Sequence, residues 1–115
     1  MSRLRESRAR WPKAKRLVVH GDWHPPFEQL AASTEGFAVC AYGTPVTDTC
    51  KEVVAGIVRR TIPREALATL QGPWVFGAAA LDDGLRRVAG HDPEIKSLPA
   101  FCEAARLQIR VLPRP

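Results

Sequence analysis

Residues 74 to 81 read WVFGAAAL, apolar at every position along both alternating faces. A strand of that kind has to be covered on both sides, so it suits the centre of a sheet with material packed above and below. The chain has 115 residues, of which 45% are apolar. That makes one small domain with an ordinary core. No stretch approaches the ~18 continuous apolar residues of a membrane span. The charged N-terminus has no apolar segment of the secretory kind.

Other elements are placed around that strand by pattern. Residues 16 to 20 (RLVVH) read as a short strand entering a turn at Gly21-Asp22. Pro26 opens a short helix through Phe27, Leu30 and Ala31. Residues 37 to 42 (FAVCAY) are a strand candidate. Cys50, Val53, Val54, Ile57 and Val58 recur at helical spacing and predict an amphipathic helix. Thr49-x-x-Glu52 offers it a capping box, with Thr47 or Asp48 as other caps. Pro63 starts a second short helix with Ala66, Leu67 and Leu70 inward, which Gly72-Pro73 ends.

After the apolar strand, Asp83-Gly84 predicts a hairpin turn and Leu85 to Ala89 a return strand. A helix is the rival, since Leu81, Leu85, Val88 and Ala89 share a helical face; Gly84 would cost it ~1 kcal/mol. Residues 100 to 112 are ambiguous: Ala104-Ala105 favours helix, and LQIRVL alternates like a strand.

Charge and cysteines bound the environment. Residues 1 to 16 hold seven Lys or Arg against Glu6, a net +6, and the rest of the chain is −1. This predicts a flexible basic arm at 1–16, with weak, salt-sensitive affinity for polyanions, on a near-neutral domain at 17–115. Cys40, Cys50 and Cys102 form no CxxC spacing and fit free thiols in a reducing cytoplasm.

The string VVHGDWH at 18 to 24 looks like metal ligands. Asp22 and His24 would project from one side of an extended segment and share a metal, as in binuclear phosphoesterases. Such sites draw about six ligands from several motifs. The only further candidates are His91 and Asp92, so the expectation is no metal and no cofactor, with Asp22 and His24 kept as the alternative pair. Uncoordinated, the histidines are solvated loop residues.

Residues 16 to 30 (RLVVHGDWHPPFEQL) resemble the segment of the asparagine synthetase glutaminase domain that runs strand, Asn-Gly-Glu, hydrophobic-Tyr-Asn, then a Glu-Leu helix. Thr47-Asp48-Thr49 resembles that family's Ser-Asp-Thr-Glu helix start. Residues 70 to 76 (LQGPWVF) resemble its Leu-x-Gly-x-Phe-Ala-Phe strand, and Leu81-Asp82 its closing Trp-Asp. Residues 91 to 98 (HDPEIKSL) resemble its Arg-Asp-x-x-Gly-Ile-Lys-Pro-Leu, one residue short. The resemblance covers about residues 16 to 101, and β-lactam synthetases and lasso-peptide cyclases carry similar domains.

The resemblance implies an α+β fold, a truncated Ntn-hydrolase-like α/β/β/α sandwich of antiparallel sheets with flanking helices. It implies a degenerate amino-acid pocket at His20, Gly21, Asp22 and Asp48. His20 stands where the family has an oxyanion-stabilising Asn, and Asp22 and Asp48 would hold an ammonium. Asp48 is equally well read as a helix cap and Asp22 as an Asx-turn residue. The family's N-terminal Cys nucleophile has no counterpart, which leaves Ser2 as the remaining candidate.

The expectation is therefore a glutamine-amidotransferase-like pseudoenzyme. It would dock on, or regulate, an asparagine-synthetase-type amide-forming ligase, or pair with itself, and an amino acid is a candidate ligand. Alternatives are an enzyme, either a residual glutaminase or a phosphoesterase through Asp22 and His24, and a nucleic-acid binder using the basic arm, in which Trp11 could stack on a base.

Overall fold

The computed structural model describes residues 2–91 and 94–114. Asp92, named above as a metal candidate, lies outside the described residues. In chain order the elements are α1 (Ser2–Arg10), β1 (Arg16–Val19), α2 (Phe27–Thr34), β2 (Val39–Pro45), β3 (Cys50–Val54), β4 (Ile57–Ile62), a 3-10 turn (Arg64–Ala66), β5 (Ala68–Gly77), α3 (Ala78–Arg87), α4 (Leu98–Ala105) and β6 (Ile109–Pro113).

Four strands form one sheet in the order β1-β5-β2-β6. β5 is antiparallel to both neighbours, and β6 is parallel to β2. β1, β2 and β6 therefore run the same way and end at one rim. β5 takes in residues 74 to 77 of the two-sided apolar run, whose last four residues, 78 to 81, open α3 instead of extending the strand; it is central, with Trp74, Val75 and Phe76 buried. Trp74 and Phe76 point to one face, with Leu4 of α1, Leu81 and Leu85 of α3, and Phe101, Cys102 and Ala105 of α4. Val75 points to the other, with Cys40, Tyr42 and Leu30 of α2. Helices thus cover both faces, which is why WVF needs no polar side.

This is a mixed fold of helices and sheet, so the α+β expectation holds in its coarse form. The Ntn-hydrolase-like sandwich does not: a single mixed sheet replaces two antiparallel sheets packed face to face. The second sheet is only the β3–β4 hairpin.

That hairpin also overturns the amphipathic helix expected at 50 to 58. Val54 and Ile57 close a two-residue turn at Ala55 and Gly56, both with positive φ, 52° and 80°. Two positive φ values make the turn whose twist suits a hairpin. Pairs of β-branched residues flanking such a turn copy helical spacing while preferring strand. No buried stripe exists: Val53, Val54, Ile57 and Val58 are all exposed. Glu52 pairs across the strands with Arg60 at 2.7 Å and caps nothing. The helix expected after Pro63 is a single 3-10 turn, and Gly72-Pro73 lies inside β5, joined by a cis peptide.

Residues 78 to 87 take the rival helical form. Gly84, the residue that argues for a hairpin, sits where α3 meets α4; a Cβ there would lie 3.0 Å from Phe101 Cζ and 3.0 Å from Leu107 Cδ1. Close packing outweighs the helix penalty of glycine. Residues 98 to 113 contain both readings in turn, helix then strand, divided at Arg106, a left-handed cap with φ 59°.

The basic segment carries a helix with contacts to α3. Residues 2 to 10 are helical, Leu4 is buried, and Arg8 Nε donates to Asp82 Oδ1 at 2.8 Å. The remaining Arg8 nitrogens donate to Asp82 and to the carbonyls of Trp11, Pro12 and Ala14, which fastens the link between α1 and β1. Burial of Leu4 fixes one face of α1, and the cations take partners on α3. No helix among the described residues is long and apolar enough to cross a membrane.

Candidate functional site

In open sheets, ligands collect at the carboxyl ends of parallel strands, where loops leave the rim and backbone groups are unspent. Here that rim gathers the loop after β1 (His20 to His24), the end of β2 (Tyr42 to Pro45), the start of β5 (Gln71, Gly72) and Arg114 after β6.

Gly21 is pressed against β5. A Cβ at this position would lie 2.9 Å from the Gln71 carbonyl oxygen, so only glycine lets the loop lie that close. The next residue, Asp22, accepts from Arg114 Nη2 at 2.7 Å. Arg114 is anchored by its own backbone, whose N–H donates to Gly43 O at 3.0 Å. Its guanidinium lies 5.7 Å from the Trp23 ring centroid, and Trp23 meets Tyr42 edge-on at 5.2 Å. The rim is thus tied across three strands by one chain of contacts, from Asp22 through Arg114 to Trp23 and Tyr42.

Asp22 is mostly exposed, yet the hydrogen bond and charge of Arg114 hold its carboxyl below the usual Asp range. Two polar groups on this rim are buried without partners among the described residues: Tyr42 Oη and Arg114 Nη1. A buried donor or acceptor left unpaired costs about 1–3 kcal/mol.

His20 and His24 face each other, with Nδ1 atoms 3.2 Å apart and ring centroids 4.8 Å apart. A bond between two Nδ1 atoms needs one proton between them. The ring that accepts at Nδ1 carries its own proton on Nε2, so the pair presents at least one outward N–H donor. Thr44 Oγ1 donates to Gln71 Oε1 at 3.2 Å, closing the rim on the β2 side.

Three of the four residues expected to form an amino-acid pocket, His20, Gly21 and Asp22, share this rim. Asp48 does not join them: it is exposed in the loop between β2 and β3, and its carbonyl accepts from Cys50 Sγ at 3.8 Å. No helix follows for it to cap. Ser2 begins α1, exposed beside a groove along β1 that His20 also borders. Asp22 and His24, the alternative metal pair, turn to different partners, Arg114 and His20. No group of three or more His, Cys, Asp or Glu suited to a metal ion is gathered among the described residues.

Arg114, Trp23, Tyr42 and Gln71 escape a sequence reading. The signal for Arg114 was the alternation of LQIRVL: a strand there puts the residues after it on a sheet rim.

No family model matches the chain. The 2-C-methyl-D-erythritol 4-phosphate cytidylyltransferase of Dehalococcoides mccartyi is 44% identical over 59 residues, which is 50% of this chain and 25% of that protein. The solved 2-C-methyl-D-erythritol 4-phosphate cytidylyltransferase from Thermus thermophilus superposes with a TM-score of 0.64 at 18% identity, covering 98% of this chain and 59% of that one. The 4-diphosphocytidyl-2C-methyl-D-erythritol synthase from Anaerococcus prevotii gives 0.70 at 16% identity, covering 90% and 51%. At such identities the superpositions show a shared fold. The chain spans about a quarter of the curated relative and just over half of these solved structures.

These neighbours overturn the glutaminase resemblance, and with it the expectation of an amidotransferase-like pseudoenzyme serving an amide-forming ligase. The apparent motifs fell on unrelated geometry. The Ser-Asp-Thr-Glu-like helix start leads into a hairpin, and Gly21 is explained by the Gln71 carbonyl rather than by an oxyanion pocket.

Proposed function

We propose that this chain supplies part of a nucleotidyl-transfer site, one that passes a cytidylyl group to the phosphate of a phosphorylated polyol. The 44% identity over 59 residues with a cytidylyltransferase carries this reading, and the shared fold supports it. The part supplied is the rim at the carboxyl ends of β1, β2 and β6.

Both reactants in such a transfer are phosphate anions. The acceptor's phosphate oxygen attacks the α-phosphorus of a cytidine triphosphate donor, the bond from that phosphorus to the α–β bridging oxygen breaks, and pyrophosphate departs. Catalysis of phosphoryl chemistry is mostly positioning and stabilisation of charge on the phosphate oxygens. The rim has the groups for that work. Arg114, held at the rim by its bond to Asp22, offers a fixed guanidinium, the group that suits phosphate. The His20–His24 pair offers an Nε2–H donor.

Calorimetric titration of the chain with cytidine triphosphate, and separately with 2-C-methyl-D-erythritol 4-phosphate, tests this. Saturable binding of at least one is expected, weakened roughly tenfold or more in Arg114→Ala, the worth of a charge-assisted hydrogen bond. Absence of binding by both, or equal binding by the variant, removes the reading.

A further inference from the structure

His20 follows β1, His24 stands four residues on, and each of the three residues between them is fastened to the body. Gly21 lies against the Gln71 carbonyl, Asp22 is bonded to Arg114, and Trp23 meets Tyr42 edge-on. Pro25, itself buried, comes next and confines His24 to extended backbone. The anchors of the loop thus set the two imidazoles, while both side chains stay exposed. Their Nδ1 atoms are 3.2 Å apart. Two nitrogens on one tetrahedral zinc, each ~2.0–2.1 Å from it, stand about 3.3 Å apart. The ring centroids are only 4.8 Å apart, too close for a head-on meeting. Both rings therefore lean off the line between the nitrogens, as two ligands of one ion do.

We infer that His20 and His24 form a two-imidazole site for a divalent transition metal of the zinc, nickel and copper class, bound through both Nδ1 atoms. Imidazole nitrogen is a donor those ions favour, whereas magnesium takes oxygen ligands and keeps its waters. The pair differs from Asp22 and His24 expected from sequence: Asp22 is taken by Arg114, and His20 stands in its place. Two protein ligands leave the other positions of the ion to water or to an oxygen of a bound anion. In the metal-free neutral pair, the ring that donates at Nδ1 has a bare Nε2. With a metal on both Nδ1 atoms, each neutral ring carries its proton on Nε2, so two outward N–H donors flank a dication. The metal adds charge and a donor to the rim. Its strengthening of phosphate binding rests on the reading under Proposed function; the metal site does not.

The full chain is titrated with zinc chloride by calorimetry, and its nitrogen-15-labelled imidazoles are followed by long-range proton–nitrogen correlation. One zinc per chain is expected, moving Nδ1 of both His20 and His24 and leaving both rings in the Nε2–H form. His20→Ala and His24→Ala should each weaken zinc roughly tenfold or more, the loss of one of two donors, with unchanged circular dichroism spectra because both side chains are exposed. His91→Ala and Cys50→Ser should bind zinc as the native chain does, and magnesium chloride should leave both rings unmoved. Absence of zinc binding, zinc that moves one ring alone or settles on Cys50 or His91, or an alanine variant that binds as tightly as the native chain overturns the inference. Titration with 2-C-methyl-D-erythritol 4-phosphate, with and without zinc, tests the coupling: binding roughly fivefold tighter with zinc is expected, and the gain is lost in His24→Ala. Zinc on both rings with no gain for the phosphate leaves the metal site standing and counts against the phosphate reading instead.

Discussion

Arg114 and Asp22 are 92 positions apart in sequence and joined in space, Nη2 to Oδ1 at 2.7 Å. The contact ties the last described residue of the chain to the loop after β1. It takes up Nη2, while Nη1 is buried without a partner among the described residues.

The Asp22 carboxyl is held below its ordinary range, first by the hydrogen bond from Arg114 and then by its charge. The sign follows: the stabilising link is fully present above the unfolded value of about 3.9 and is lost as pH falls through the lower folded value. Carbon-detected NMR titration of Asp22 should give a midpoint below that of an unperturbed Asp, returning toward it in Arg114→Ala. A midpoint that the substitution leaves unmoved would show that the pair does not persist in solution.

Arg8 holds α1 to the body through Asp82 and three backbone carbonyls. Arg8→Ala should therefore speed amide exchange throughout residues 2 to 14 while leaving β2 and β5 protected. Uniform exchange across residues 2 to 14 in the native chain, as fast as in a free peptide, would restore a flexible arm.

Gly84→Ala sets helix propensity against packing. Alanine is favoured in a helix by ~1 kcal/mol. Its methyl would meet Phe101 and Leu107 at 3.0 Å and Ala105 at 3.2 Å. Overpacking of this kind costs about 1–3 kcal/mol. A net loss of stability in urea denaturation is expected, and a gain would mean that α3 and α4 are not packed as described.

All three cysteines are free thiols, and burial pushes the Cys102 thiol up to about 11. Cys40 is also buried and raised, first by desolvation. Thiolate supply and access both limit alkylation. Iodoacetamide at neutral pH should modify Cys50 first and reach Cys40 and Cys102 only on unfolding, which peptide mass mapping over time would reveal.

Much of the sheet was legible. Residues 16 to 20 and the first half of the apolar run, 74 to 77, gave strands in their places, because period-two patterns and double-sided burial have direct physical causes, while residues 78 to 81 of that run open α3. The β3–β4 hairpin was not, because Ala55 takes a positive φ that no alanine advertises, and its flanking valines sit at helix-like spacing. Gly84 misled for a related reason: its role is a contact with α4, visible only once both helices exist. The rim was half legible. His20, Gly21 and Asp22 stood out as a local string, whereas Arg114 and Gln71 reach them through strand pairing across the whole chain. The glutaminase resemblance rested on short strings of Gly, Asp and Leu, which recur wherever strands meet turns.

Chemical-shift mapping of the nitrogen-15-labelled chain with 2-C-methyl-D-erythritol 4-phosphate and with cytidine triphosphate tests the central claim most directly. Saturable shifts at His20, Gly21, Asp22, His24, Gln71 and Arg114 are expected with at least one of the two. Shifts that never saturate, or that fall only on the β3–β4 hairpin or on α4, would contradict a phosphate-binding rim at the ends of β1, β2 and β6.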